Sequence, residues 1–119
     1  MSTSIADIRA EYSKHTLEVK DVSDNPLKQF QKWFTEAQKA DIHEVNAMGL
    51  STVSKKGIPS SRIVLLKDIE NDGFVIFTNY QSDKGRDLEQ NPAASLLFFW
   101  KELERQVRIQ GNVEKISKQ

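Results

Sequence analysis

Cysteine is absent from the 119-residue chain, and histidine occurs only twice. Without cysteine there can be no disulfide and no thiolate metal site, and a cytoplasmic location becomes the default expectation. His15 and His43 have no further ligand at metal spacing, so we predict no metal site. Long apolar runs are missing too, both at the amino terminus and elsewhere, so we expect neither a secretory signal nor a membrane segment.

Charge of one sign is also missing, because 17 basic residues balance 17 acidic ones. A neutral chain lacks the general positive field on which nonspecific nucleic-acid binding depends, so we expect no nucleic-acid partner. Any anion site must therefore be local. The sequence shows no nucleophile beside a base, and we assign no catalytic residue. At this length we expect one domain.

Two helices are predicted before the β-rich part of the chain. Ser4 is a candidate cap for a short helix in an amino-terminal arm. The apolar positions of this helix are Ile5, Ile8 and Tyr12. Asn25 and Pro26 are typical of the N-cap and first residue of a longer helix. Its apolar stripe consists of Leu27, Phe30, Phe34 and Ala37. We expect residues 1–45 to form an arm and a helix packed on a barrel of residues 46–119, within a single structural unit.

From residue 46 onward the pattern changes to short β-type segments. The five strand candidates are residues 47–54, 61–69, 74–79, 94–100 and 105–116. Turn sequences lie at Lys56–Gly57 and Asn71–Gly73, and Ser82 begins a short helix that ends near Gln90. Because a barrel removes exposed strand edges, we predict an α+β fold, mainly β with flanking helices, built on an antiparallel Greek-key split β-barrel.

A local anion site is indicated at the start of the helix that Ser82 opens. The first turn of a helix offers free backbone N–H groups and the positive end of the dipole. Lys84 is unfavourable there unless an anion is also bound. Arg62, on a neighbouring strand, can offer a bidentate fork to the same phosphate. The alternative is that Lys84 and Arg62 are ordinary solvated charges, as isolated surface cations often are.

Strand alternation separates the remaining candidates. One face is expected to carry Arg62, Val64 and Leu66, and the other Ile63, Leu65 and Lys67. The two cations should therefore serve different anions unless a bulge intervenes. Gln106 faces away from its apolar neighbours, either into solvent or towards a flat heterocycle with which its amide pairs. The segments 63–67 and 96–100 are more apolar than a half-exposed sheet requires, which favours a second subunit covering the barrel wall.

Several segments together resemble the pyridoxine/pyridoxamine 5′-phosphate oxidases, in order and with family-like intervals. The segments are RIVLLK (62–67), FTN (77–79), SDK (82–84), NPAASLLFFW (91–100) and LERQVRIQG (103–111). Upstream, IRAEY (8–12) and NPLKQFQKWF (25–34) resemble the arm and first long helix of that family. The resemblance covers nearly the whole chain.

The resemblance implies an FMN-binding split-barrel homodimer with the flavin at the subunit interface. The residues it assigns to FMN are Arg62, Ile63, Val64, Leu65, Leu66, Lys67, Phe77, Thr78, Ser82, Lys84 and Gln106. Lys67 is also assigned to the phosphate of the B6 vitamer, and Arg9 and Tyr12 to an arm that closes over this substrate. The implied reaction is hydride transfer from the vitamer to FMN, with O2 as the final acceptor.

Two substitutions and the length separate this chain from the family pattern. Asp83 stands where the family often has an arginine, and Phe77 where it usually has a tyrosine. The family also continues well beyond Gln119, through residues that hold the substrate. The expected function is therefore the flavin half of such an oxidase. The alternatives are a non-catalytic flavin-binding or dimerisation module and another split-barrel flavin reductase.

Overall fold

A computed structural model describes residues 4–8, 23–70, 72–79 and 81–116 of the chain. The described residues form two α-helices, six β-strands and two short 3-10 helices. The helices are α1 (Pro26–Lys39) and α2 (Asp83–Gln90), and the 3-10 helices span Ile5–Asp7 and Lys101–Leu103. The strands are β1 (Ala47–Val53), β2 (Pro59–Leu65), β3 (Asp68–Glu70), β4 (Gly73–Val75), β5 (Ala93–Trp100) and β6 (Arg105–Asn112).

Four of the strands form one antiparallel sheet in the order β2-β1-β5-β6, and β3 and β4 form a separate hairpin. The predicted class, mainly β with flanking helices and antiparallel pairing, is confirmed. Within the described ranges, no helix has both the length and the hydropathy needed to cross a bilayer.

The four-stranded sheet has two different faces. The inner face carries side chains that are almost fully buried. They are Met48, Leu50, Thr52, Phe98 and Trp100. The outer face carries the alternate residues, and its large apolar side chains are exposed. They are Ile63, Leu65, Leu97 and Phe99. The register places Ile63 and Leu97 on either side of Gly49, so the exposed side chains form one continuous patch.

Helix α1 covers the inner face. The Asn25 side chain accepts a hydrogen bond from the Leu27 N–H at 2.9 Å, and Pro26 occupies the first helical position, so the sequence specifies where the helix begins. Phe30 projects from the helix into the core, with its ring centroid 5.1 Å from that of Phe98. Burial of such a ring contributes about 1.5–3 kcal/mol, so this contact anchors α1 on the sheet.

Three strand predictions were wrong in extent. The strand expected over residues 105–116 ends, as β6, at Asn112. The strand expected over residues 61–69 is divided into β2 and β3, which gives six strands instead of five. The division occurs because the Leu66 N–H donates to Asn46 O at 2.8 Å, whereas the Lys67 N–H donates to Val75 O at 2.9 Å. Consecutive residues thus pair with different parts of the chain. The strand expected over residues 74–79 ends, as β4, at Val75.

The prediction for the amino-terminal helix was also wrong. Within the described residues 4–8, Ile5–Asp7 forms a 3-10 turn that ends at the extended Ile8, and Ser4 makes no capping hydrogen bond to the backbone. The Ser4 hydroxyl instead donates to Asp7 Oδ2 at 3.1 Å. A single turn without a packed apolar face has little to hold it in α-helical form. Tyr12, which was predicted on the same helix, lies outside the described residues.

Candidate functional site

The start of α2 is shaped by Ser82, as predicted. Its hydroxyl oxygen accepts from the Gly85 N–H at 3.2 Å and donates to Asn79 O at 2.6 Å, which fixes the entry of the chain into the helix. Lys84 is half-buried in the first turn, next to the exposed Asp83. The positive end of α2 therefore carries one cation and one acid, which oppose each other in any interaction with an anion.

Arg62 is held by the protein and does not extend into bulk water. Its Nη1 donates to Leu50 O at 3.2 Å and to Thr52 Oγ1 at 2.8 Å. The Thr52 hydroxyl in turn donates to Oδ2 of Asp87, in the second turn of α2, at 2.9 Å. The guanidinium is thus connected through one intervening hydroxyl to the second turn of the helix that Ser82 caps. A phosphate site shared by Arg62 and the first turn of this helix stays a prediction.

The predicted alternation along β2 is confirmed. Arg62, Val64 and Leu66 are half-buried or buried, and Ile63, Leu65 and Lys67 are exposed. Arg62 and Lys67 therefore project from opposite faces of the chain, and one phosphate is not expected to contact both. Their binding roles stay predictions.

Lys67, Phe77 and Thr78 are brought together along a groove of about 960 Å³ between the β3–β4 hairpin, α2 and residues 113–116. Lys67 Nζ lies 6.0 Å from the centroid of the Phe77 ring, which is 76% exposed. The Thr78 hydroxyl is buried and has no hydrogen-bond partner within the described part of the chain. A buried hydroxyl without a partner is costly, so this atom favours a polar ligand group at the groove.

Gln106 lies apart from that groove. It is exposed on the outer face of β6, directly opposite Phe99 of β5. Gln106 thus lies beside the apolar outer face, and its role in binding FMN stays a prediction. Arg9 and Tyr12, the predicted arm residues, lie outside the described residues.

Two residues of this region, Thr52 and Asp87, were not identified from the sequence. Thr52 is completely buried, and it alternates with the apolar Met48 and Leu50 on the inner side of β1. A hydroxyl at an inward-facing strand position was a signal available in the sequence. Asp87 gave no comparable signal, because acidic residues are ordinary on a short helix.

FMN has a polar end and a flat aromatic end, and the described residues suit both. The α2 first turn, Lys84 and Arg62 suit a phosphate group. The exposed Phe77 ring and the unpartnered Thr78 hydroxyl suit a ring that carries polar atoms. The residues present therefore fit the group that the sequence predicted.

The chain is similar in sequence to proteins of one family. Residues 34–119 match the sequence profile of the family described as pyridoxamine 5′-phosphate oxidase. Pyridoxine/pyridoxamine 5′-phosphate oxidase 1 of Ralstonia nicotianae is 58% identical over 115 residues, which are 97% of this chain and 54% of that protein. The chain thus spans about half the length of the curated relatives it matches.

Solved structures share the fold. PhzG from Burkholderia lata, crystallised with tetrahydrophenazine-1-carboxylic acid, superposes with a TM-score of 0.79 at 29% identity, over 86% of this chain and 51% of that one. A pyridoxamine 5′-phosphate oxidase-related, FMN-binding protein from Nostoc punctiforme superposes with a TM-score of 0.64 at 20% identity, over 76% and 48%. The predicted split-barrel fold is confirmed, and the chain belongs to the pyridoxamine 5′-phosphate oxidase family.

Proposed function

We propose that this chain supplies the flavin-binding half of an oxidase that converts pyridoxine 5′-phosphate and pyridoxamine 5′-phosphate into pyridoxal 5′-phosphate. The observation that carries the proposal is the half-buried Arg62 guanidinium, which is connected to the Ser82-capped helix through Thr52 and Asp87. A cation connected in this way to α2, whose first turn has free N–H groups, suits the terminal phosphate of FMN. The FMN prediction agrees with the family match and with the structural similarity to the FMN-binding protein from Nostoc punctiforme.

The chemistry that FMN supplies when bound is acceptance of a hydride from the C4′ carbon of the vitamer, followed by reoxidation by O2 to give hydrogen peroxide. The protein residues bind and orient. In this proposal Arg62, Lys84 and the first turn of α2 hold the flavin phosphate. Thr78 would donate a hydrogen bond to the flavin, and Phe77 would contact its ring. Lys67, on the opposite face of the chain from Arg62, binds the phosphate of the vitamer.

A homodimer with FMN at its interface is part of the same proposal. The apolar outer face supports it, since Ile63 is 70% exposed and Phe99 56% exposed in the single chain. A contiguous apolar patch of this kind is typical of a protein interface. Packing of a second copy on this face would place Gln106 of one chain near the flavin of the other, where its amide can both donate and accept.

Flavin binding tests the proposal directly. The purified chain is expected to bind FMN at a level approaching one flavin per chain, measured by absorbance of the dialysed protein and by quenching of flavin fluorescence. Arg62→Gln is expected to weaken FMN binding by about tenfold or more, because it removes a charge-assisted contact to the phosphate. Failure of the folded wild-type chain to bind FMN at saturating concentration would contradict the proposal.

The second candidate is a non-catalytic flavin-binding or dimerisation module on the same fold. The two candidates differ in turnover of pyridoxine 5′-phosphate, followed as hydrogen peroxide release from the FMN-loaded chain. Peroxide released in proportion to the vitamer supports the oxidase, whereas stable FMN binding without turnover supports the module.

A further inference from the structure

Thr52 is a polar residue in the most buried part of the sheet, with none of its surface exposed. Its neighbours along the inner side of β1, Met48 and Leu50, are apolar and belong to the inner face. A hydroxyl in such a position destabilises the fold unless its hydrogen bonds are formed. Both are formed here, with Arg62 as the donor to its oxygen and Asp87 as the acceptor of its proton.

The direction of this chain of hydrogen bonds is determined by chemistry. An arginine side chain only donates, and an ionised carboxylate only accepts. The Thr52 proton must therefore point at Asp87, which leaves its lone pairs to receive Arg62 Nη1. The two bonds of Arg62 to Leu50 and Thr52 both use Nη1. The planar guanidinium also carries N–H groups on Nη2 and Nε, which are donors of the kind that suit an anion.

We propose that Thr52 and Asp87 are positioning residues that orient the Arg62 guanidinium and thereby set the preference of the protein for FMN over riboflavin, which lacks the phosphate. The inference rests on the proposed function, because it takes Arg62 as a ligand of the flavin phosphate. Neither Thr52 nor Asp87 contacts the flavin in this arrangement. Asp87 lies one hydrogen bond further from Arg62 than Thr52 does.

Matched substitutions separate orientation from packing. Thr52→Val keeps the shape and removes the hydroxyl, whereas Thr52→Ser keeps the hydroxyl and removes a methyl group. Asp87→Ala removes the acceptor, whereas Asp87→Asn keeps an oxygen that can accept from Thr52. Dissociation constants for FMN and for riboflavin are measured for each variant by fluorescence quenching, and folding is monitored by thermal denaturation.

Thr52→Val and Asp87→Ala are expected to weaken FMN binding by roughly tenfold and to change riboflavin binding by less than about twofold. Thr52→Ser and Asp87→Asn are expected to stay within about twofold of wild type for FMN. In the Arg62→Gln background, Thr52→Val should have no further effect on the preference, since the residue through which it acts is gone. A purely structural role would weaken both ligands equally and would persist in that background.

The outcomes distinguish this inference from the function on which it rests. If the wild-type chain binds FMN and riboflavin with equal affinity, the phosphate site itself is absent and both ideas fail. If the wild type prefers FMN and Arg62→Gln abolishes the preference, but Thr52→Val and Asp87→Ala retain it, only the positioning inference is overturned. If Thr52→Val fails to fold, Asp87→Ala tests the inference instead, because Asp87 is only partly buried.

Discussion

The two faces of the four-stranded sheet are built from neighbouring residues of the same strands, yet they meet different surroundings. On the inner face, Phe98 and Trp100 are fully buried under α1, and their rings lie 5.4 Å apart. On the outer face, Leu97 and Phe99 are 41% and 56% exposed. In β5, the amino-acid types hardly differ between the faces. The hydrophobic residues of β5 thus favour burial of both faces of the strand. In the single chain, α1 covers the inner face, and the outer face stays exposed.

The largest expected effect comes from truncating the inner face. Phe98→Ala is expected to destabilise the fold by about 3–5 kcal/mol, because it leaves a cavity among packed aromatic rings. Phe99→Ala is its matched control, since the same atoms are removed one residue away on the outer face. The expected loss there is below about 1 kcal/mol in the monomeric chain. Urea denaturation measures both, and equal losses would contradict the assignment of the two faces.

The outer face is tested by introducing a charge. Phe99→Glu is expected to weaken self-association by roughly thirtyfold, because a carboxylate at the centre of an apolar interface is desolvated without a partner. Light scattering during size-exclusion chromatography, over a series of concentrations, measures the change. Gln38→Glu on the exposed surface of α1 adds the same charge and should leave the association unchanged. A wild-type chain that stays monomeric at all concentrations would overturn the dimer proposal.

The smallest expected effect concerns the polar end of the inner face, where α2 begins. Asp83→Asn is expected to tighten FMN binding by about two- to fivefold, because it removes an acid from the positive end of the helix. The same change should destabilise α2 slightly for the same reason. The gain should shrink as salt is added, since the site is accessible to ions. Asp24→Asn removes an equal charge outside α2, and a similar gain in that variant would contradict the local explanation.

Local signals predicted the elements well, and contacts distant in sequence escaped prediction. Asn25 with Pro26, and Ser82 three residues before Gly85, specify where the helices begin through hydrogen bonds within one turn. The alternation of Val107 and Ile109 with polar residues likewise gave the faces of β6. The bond between Thr52 and Asp87 joins residues 35 positions apart, and no pattern along the chain encodes it.

The strand between residues 61 and 69 illustrates the same limit. Its composition is continuously favourable for β structure, so pattern alone predicted a single strand. The division after Leu65 depends on Asn46, which accepts from the Leu66 N–H and donates its side-chain Nδ2–H to Leu66 O at 3.1 Å. That contact spans 20 residues. For the candidate site, strand alternation predicted which side chains share a face, such as Arg62 with Val64. It could not predict contacts between distant segments.

The division after Leu65 also affects the distance between Arg62 and Lys67. Arg62 and Lys67 are five peptide units apart on an extended chain, and their backbone is clamped on one side by the main sheet and on the other by the hairpin. If each binds its proposed phosphate, strand geometry limits the separation of the two Cα atoms to about 17 Å, and the two side chains extend from there to opposite sides. The backbone then sets the separation of the two binding residues. Inserting one residue between Arg62 and Lys67 would increase this separation and turn Lys67 to the side of Arg62.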